Sequence, residues 1–271
     1  MTTDSPLGRP TFYLDQYSPE LLHPICRTDN RVALGLGDEL PFTGVDIWNA
    51  WELTWLNADG KPVVGTAEIR VPASSPNIVE SKSLKLYLNS FSMTKYVTGS
   101  DVAESIEQDL SDCAGADVNI RLQQAAALTG ASVARLPGDC LDGLQVGCDA
   151  YGVAPDLLRA DKNKIVREDL YSHLLRSLCP VTNQPDMGSL LIAYRGPRID
   201  RESLLRYIVS FREHNDFHET CVERMFVDLL ERCEPEKLTV YARYHRRGGI
   251  DINPFRSNFE KEAPNIRLWR Q

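Results

Sequence analysis

The sequence predicts an α+β protein of two related modules, each an antiparallel sheet with two helices on one face. Three observations predict it. First, residues 82–91 (KSLKLYLNSF) align with residues 202–211 (ESLLRYIVSF) at an offset of 120, and five of the ten positions agree. These are Ser83 with Ser203, Leu84 with Leu204, Tyr87 with Tyr207, Ser90 with Ser210 and Phe91 with Phe211. Second, the offset persists without a gap, setting Val102 on Val222, Leu110 on Leu230 and Cys113 on Cys233. Third, the same succession of strand and helix patterns recurs in both halves. A constant offset over several elements marks a duplicated unit, and two copies give paired domains rather than a solenoid. The division falls at 1–150 and 151–271.

In the first copy, residues 46–56 (DIWNAWELTWL) are aromatic and β-branched, residues 57–62 (NADGKP) form a turn, and residues 63–71 alternate. That is a hairpin pattern. Helices are predicted over 81–93 and 100–113, the second with Ser100 as N-cap and Glu104 in its first turn. A strand follows at 118–122. In the second copy, residues 170–178 fit either period and read as a strand by analogy with the first hairpin. Residues 189–194 form its partner. Asp200 caps a helix that ends near Phe211. A second helix runs from Phe217 to Cys233 with Val222, Phe226, Leu229 and Leu230 on one face. Strands at 238–244 and 250–252 flank a turn at 246–249 (RRGG). Each module therefore reads β-β-α-α-β-β, and residues 138–164 join them.

Composition narrows the function. A net charge of −8 argues against a surface that coats nucleic acid, because such surfaces need a basic footprint. No stretch resembles a signal peptide or a membrane span. The seven cysteines lack a C-x-x-C pair and read as reduced thiols,. A cytoplasmic location is the expectation.

Four constellations carry chemistry. Cys179 stands where a strand ends and a proline-punctuated loop begins, with Asp186 seven residues on. A thiol beside a carboxyl suits covalent catalysis with proton delivery. From spacing alone, a packed cysteine and a turn-forming aspartate account for the pair more simply. His218 and Glu219 open the last long helix, where free N–H groups favour a ligand, or simply an acidic first turn. Residues 80–85 (ESKSLK) set Glu80 before a helix whose start carries Lys82 and Lys85. Cations there run against the helix dipole and hint at an anionic partner, although a solvated turn also accounts for them. Arg246, Arg247, Gly248 and Gly249 pair guanidiniums with a turn that lets backbone approach a phosphate, or form an ordinary hairpin turn. Gly35 and Gly37 lack a third glycine at position 40, which is Leu40, so no dinucleotide-binding fingerprint is present,. The histidines are too scattered for a metal site.

Residues 80–85 resemble the signature of the QueF family, NADPH-dependent nitrile reductases of queuosine biosynthesis. So do residues 42–48 (FTGVDIW), 172–175 (SHLL), 184–186 (QPD), 217–219 (FHE), 222–224 (VER) and 241–254 (YARYHRRGGIDINP). Together they resemble the long, two-module branch. The resemblance implies tandem tunnelling-fold modules and conversion of 7-cyano-7-deazaguanine to 7-aminomethyl-7-deazaguanine with two NADPH. It implies Cys179 as nucleophile forming a thioimidate and Asp186 as proton donor. It implies substrate contacts at Ile78, Val79, Glu80, His218 and Glu219, NADPH contacts at Ser81, Lys82, Arg247 and Gly248, and a homodimer. The matched motifs fall in both modules, so the site is expected between them. A zinc cyclohydrolase of the same fold would need Cys and His ligands that the spacing does not offer. A relative that adds ammonia to the nitrile would lack the NADPH contacts. A deazapurine-binding module would account for Glu80 and Glu219 but not for Cys179 with Asp186.

Overall fold

The computed structural model describes residues 13–125 and 132–271. The chain forms two compact units, and neither is a continuous stretch. The first comprises Met1–Asp29, Asp46–Ser132 and Arg246–Asp251; the second comprises Asn30–Val45, Val133–His245 and Ile252–Gln271. The division at residue 150 therefore concerns copies in the sequence, while the compact bodies are interleaved.

The first unit is built on a hairpin of β2 (Thr43–Leu56) and β3 (Pro62–Pro72). Asn57 closes it, its Oδ1 accepting from the Asp59 and Lys61 amides at 3.1 and 2.8 Å. β5 (Asn119–Gln124) pairs antiparallel with β3, setting Ala67 opposite Leu122 and Ile69 opposite Ile120. Ala67, Ile69 and Val71 are buried at every second position, as a half-covered sheet requires. α2 (Ser81–Ser90) and α3 (Gly99–Ala114) bury Leu84, Tyr87 and Leu88, and Val102, Ile106 and Leu110. The short strands β1 (Pro24–Cys26) and β4 (Asn77–Val79) form a separate antiparallel pair. A six-residue helix, α1 (Thr28–Ala33), follows β1.

In the second unit, β7 (Ala160–Leu178) and β8 (Pro185–Ile199) form a long hairpin. β9 (Lys237–Tyr244) pairs with β8, and β10 (Ile250–Ser257) pairs with β9. α4 (Arg201–Val209) and α5 (His218–Cys233) bury Leu204, Tyr207, Val222, Phe226 and Leu229 against Leu190, Ile192 and Val240. The ambiguous segment at 170–178 is strand, as the repeat predicts.

The duplication is visible in single hydrogen bonds. Glu80 and Asp200 are both N-caps; their side chains accept from the amides of Ser83 and Ser203, each at 2.8 Å. Ser83 and Ser203 donate back to the cap carbonyls, at 2.7 and 2.8 Å. The Tyr87 hydroxyl donates to Asp109, and that of Tyr207 to Asp228. A 3-10 turn at Pro19–Leu21 recurs at Pro155–Leu157. Pro24 pairs with Val79 just as Ala160 pairs with Ile199. β1 and β4 are thus the first copy's version of the outer ends of β7 and β8, interrupted at residues 73–76 by a turn closed by Ser75 on Pro72.

Three sequence expectations need correction. α3 starts earlier than Ser100: Thr98 is its N-cap, in a capping box with Asp101. This reciprocal pair satisfies two helix-end amides, which Ser100 cannot do. The second copy carries all six elements, β7-β8-α4-α5-β9-β10. The first has β2-β3-α2-α3-β5 among the described residues, and residues 132–136, part of the counterpart of β10, form no strand. Residues 126–131 lie outside the described residues. The joining region is also not featureless. β6 (Asp139–Cys140) runs parallel to β7, Leu141 donates its amide to the Tyr171 carbonyl at 2.8 Å, and the Leu141 side chain enters the core. The fold as a whole is α+β in tandem modules, as the repeat predicts.

Candidate active site

Cys179 follows the last residue of β7 and is buried. Its amide donates to the Gln184 carbonyl at 2.9 Å and its carbonyl accepts from the Asn183 amide at 3.0 Å. Asn183 takes the left-handed conformation, φ 56°, which asparagine tolerates better than most residues,. The Asn215 side chain binds Asn183 Oδ1 at 2.5 Å and the Cys179 carbonyl at 3.4 Å. The loop is therefore pinned from two sides, and its tip projects from a ladder in which Ser177 stands opposite Asp186. A bulge between Ser172 and Leu175 shifts the register before that point. Bulges of this kind commonly re-aim side chains next to active sites.

Asp186 is 3% exposed. Its Oδ2 lies 3.3 Å from Nε2 of His218, the first residue of α5. The His218 ring stacks on Tyr244, with centroids 3.8 Å apart and planes within 20°. Beneath them lie Cys221 and Ser177. Burial pushes the Cys221 thiol and the Tyr244 hydroxyl well above their ordinary ranges, so neither ionises near neutral pH. Cys221 is a packing thiol, whereas Cys179 belongs to the same unit as the Asp186 carboxylate and the His218 imidazole. Glu219 is buried in the first turn of α5. That turn is held in place: Asn30 of α1 donates to Thr220 at 3.2 Å, and the buried Glu223 is gripped by Arg31 and Arg256 at 2.7 and 2.9 Å.

The first unit carries the other set. Ile78 and Val79, in β4, are buried. Glu80 is 1% exposed, and its two oxygens accept from the amides of Lys82 and Ser83 at 2.9 and 2.8 Å. The carboxylate that the sequence marks as a ligand is therefore also the helix cap. Ser81 and Lys82 open α2. In the turn before β10, the Arg247 amide donates to the Ile250 carbonyl at 2.8 Å, and Gly248 and Gly249 both take positive φ, 62° and 82°. A Cβ on Gly248 would stand 3.3 Å from the Lys85 side chain, so the glycine turn and the cationic face of α2 meet. Arg246 is committed elsewhere, ion-paired with Glu52 and set over the Trp51 ring. Cationic side chains beside a glycine turn suit a dinucleotide phosphate. The residues present fit NADPH.

Sequence reasoning missed Tyr244, Asn183 and Asn215. Tyr244 lies inside the 241–254 motif, but stacking on a residue 26 positions earlier leaves no periodic trace. Asn183, four residues after the cysteine, was the legible signal, since asparagine favours tight turns. All seven cysteines are free thiols. Among the described residues, no three His, Cys, Asp or Glu side chains group to hold a metal ion, and no helix is long and apolar enough to cross a membrane.

Residues 13–122 match the family described as "Nitrile reductase, 7-cyano-7-deazaguanine-reductase N-term". Residues 185–263 match the one described as "QueF-like protein". A protein of Chromobacterium violaceum named NADPH-dependent 7-cyano-7-deazaguanine reductase is 53% identical over 270 residues, covering 98% of this chain and 96% of its own. Among solved structures, the apo form of an archaeosine synthase QueF-Like is similar at 18% identity and a TM-score of 0.31. It covers 37% of this chain and 96% of its own.

Proposed function

This chain belongs to the family of NADPH-dependent 7-cyano-7-deazaguanine reductases, and from that premise we propose its chemistry: reduction of the nitrile to the aminomethyl group with two NADPH, through a thioimidate on Cys179, in queuosine biosynthesis. The observation that carries the residue-level reading is the grouping, in one unit, of the Cys179 loop with the buried Asp186–His218 pair.

A nitrile carbon is a weak hydride acceptor. The Cys179 sulfur adds to it, forming a C–S bond and breaking one C–N π bond. Asp186 delivers the proton that the nitrogen gains, and the thiol proton makes good that loss. The product is a thioimidate, R–C(=NH)–S–Cys179, a better electrophile than the nitrile. NADPH supplies hydride, one equivalent at the thioimidate and one at the imine. Between the two, the C–S bond breaks, its electron pair returns to sulfur and the nitrogen lone pair closes C=N. One nitrile, two NADPH and two protons give one amine and two NADP+.

Each oxygen of Glu80 keeps a lone pair beyond its helix bond. The carboxylate is thereby fixed in place to accept from the amino and lactam N–H edge of the base, with Ile78 and Val79 alongside. A base lacking those donors would leave a buried carboxylate undersatisfied, which is a strong basis for rejection. His218 and Glu219 contact the substrate, and Ser81, Lys82, Arg247 and Gly248 hold NADPH. The protein acts on a free base as a homodimer in the cytoplasm.

Two measurements test this reading. Nicotinamide absorbance is followed with limiting nitrile; two NADPH consumed per nitrile is expected, and no nitrile-dependent oxidation overturns the proposal. Intact mass after mixing with nitrile alone should rise by the full mass of the nitrile. That increment should vanish in Cys179→Ala, and an adduct that survives there refutes the nucleophile.

A further inference from the structure

We infer that Tyr244 is a positioning residue of this reaction: its ring fixes the plane of His218 so that Nε2 stays on Asp186. The inference rests on the reductase reading above and deepens it. His218 is the first residue of α5, and its N-cap, Phe217, offers no side-chain hydrogen bond. A helix-start side chain of this kind has little local restraint. Asp186 supplies one contact, at 3.3 Å. The Tyr244 ring supplies the other, face to face at 3.8 Å and 20°. Two contacts in different directions, one at an edge nitrogen and one across the ring face, fix both tilt and twist.

The ring of Tyr244 is itself held. The residue is fully buried and sits opposite Gly188 in the β8–β9 ladder. Any Cβ at Gly188, two positions after Asp186, would stand 3.0 Å from the Leu175 side chain and 3.4 Å from the Tyr244 ring. The glycine therefore admits the ring close to the carboxylate strand. The Tyr244 carbonyl accepts from Gln271 Nε2 at 3.2 Å. Gln271 in turn binds Asn253 and Arg243, at 2.7 and 3.0 Å. This is a packed support behind the groups that touch substrate, and such supports set how well a site is preorganised.

The test compares Tyr244→Phe, which keeps the ring, with Tyr244→Leu, which removes it. Displacement of a reacting group by about 1 Å costs on the order of a hundredfold in rate. Tyr244→Leu should therefore lose about 10- to 100-fold in kcat with little change in the KM for NADPH, while Tyr244→Phe stays within about twofold of the wild type. With 13C-labelled histidine, the His218 ring signal should be shifted upfield in the wild type and Tyr244→Phe, and return toward the exposed value in Tyr244→Leu. A wild-type kcat in Tyr244→Leu, or equal losses in both variants, overturns the inference. If Tyr244→Leu does not fold, Gln271→Ala reads the same coupling: a displaced His218 signal with unchanged kcat also overturns it. An inactive wild type would instead overturn the reductase reading, and the histidine signal would still report whether the rings stack.

Discussion

Glu80 carries two duties, and they can be separated. As N-cap it satisfies two amides at the start of α2. As the proposed base-reading group it accepts from substrate. Aspartate, asparagine and serine are the usual caps; the second copy uses Asp200 at the equivalent place. The longer glutamate in the first copy fits a carboxylate that serves a ligand as well as a helix. Glu80→Ala should lose about 1 kcal/mol of stability to denaturant and raise the KM for nitrile by tenfold or more. Glu80→Asp should restore most of the stability but not the KM. Equal recovery of both would place Glu80 in the cap alone. Asp228 gives a pH signature. Burial raises its carboxyl above the ordinary value despite the Tyr207 hydrogen bond. The folded state thus disfavours its ionised form, and stability is lost as pH rises through that raised value. Asp228→Asn should melt higher than the wild type at pH 8, with the gap closing below the ordinary aspartate range. A gap that is constant with pH would show that ionisation is not the cause.

At the scale of elements, the joining region behaves as part of the second unit. Gly138 sits at φ 87°, and a Cβ there would stand 1.9 Å from the Asp169 carbonyl oxygen. The clash is with strand backbone, which cannot swing aside. Gly138→Ala should cost about 1–3 kcal/mol, read as a fall in Tm of several degrees, because the residue both clashes and leaves its left-handed conformation. A Tm within one degree of wild type would mean that β6 is not anchored as described. The sequence concealed this anchor because residues 138–164 lack periodicity; a glycine turn and two widely spaced buried leucines, Leu141 and Leu158, do the anchoring, and neither forms a pattern. The long elements were legible for the opposite reason. β3 and α3 bury side chains at periods of two and of four, and those periods survive in the sequence. The start of α3 was misplaced because Ser100 and Thr98 are both acceptable caps by type. Only the reciprocal bond with Asp101 decides between them. At the site, the candidate residues were legible through motifs, whereas the Tyr244 stack depends on which strands adjoin and cannot be read along the chain.

At the scale of the whole molecule, the question is how the exposed strand edges are treated. In the first unit, β5 pairs with β3 on one side. In the second, β6 covers β7 only at Leu170 and Tyr171. Unpaired edge amides and carbonyls invite another strand unless they are shielded by charge, bulges or short length. β5 reads NIRLQQ, with one charge in six residues, and is longer than a stub. That is weak protection for an edge, and a net charge of −8 gives no electrostatic reason to favour a nucleic-acid partner over a second copy,. The proposed homodimer would cover such an edge. Sedimentation equilibrium should give about twice the 30.5 kDa of the chain at micromolar concentration. Ile120→Lys together with Leu122→Lys would confuse assembly with folding, because both side chains pack within the first unit. Charges are better placed at Asn119 and Arg121, whose side chains point to the other face of β5: Asn119→Asp with Arg121→Glu should shift the species toward 30.5 kDa without lowering Tm by more than a few degrees. A wild type that sediments as a monomer at these concentrations would overturn the dimer, and a dimer that survives the charge reversal would place the interface on a surface other than β5.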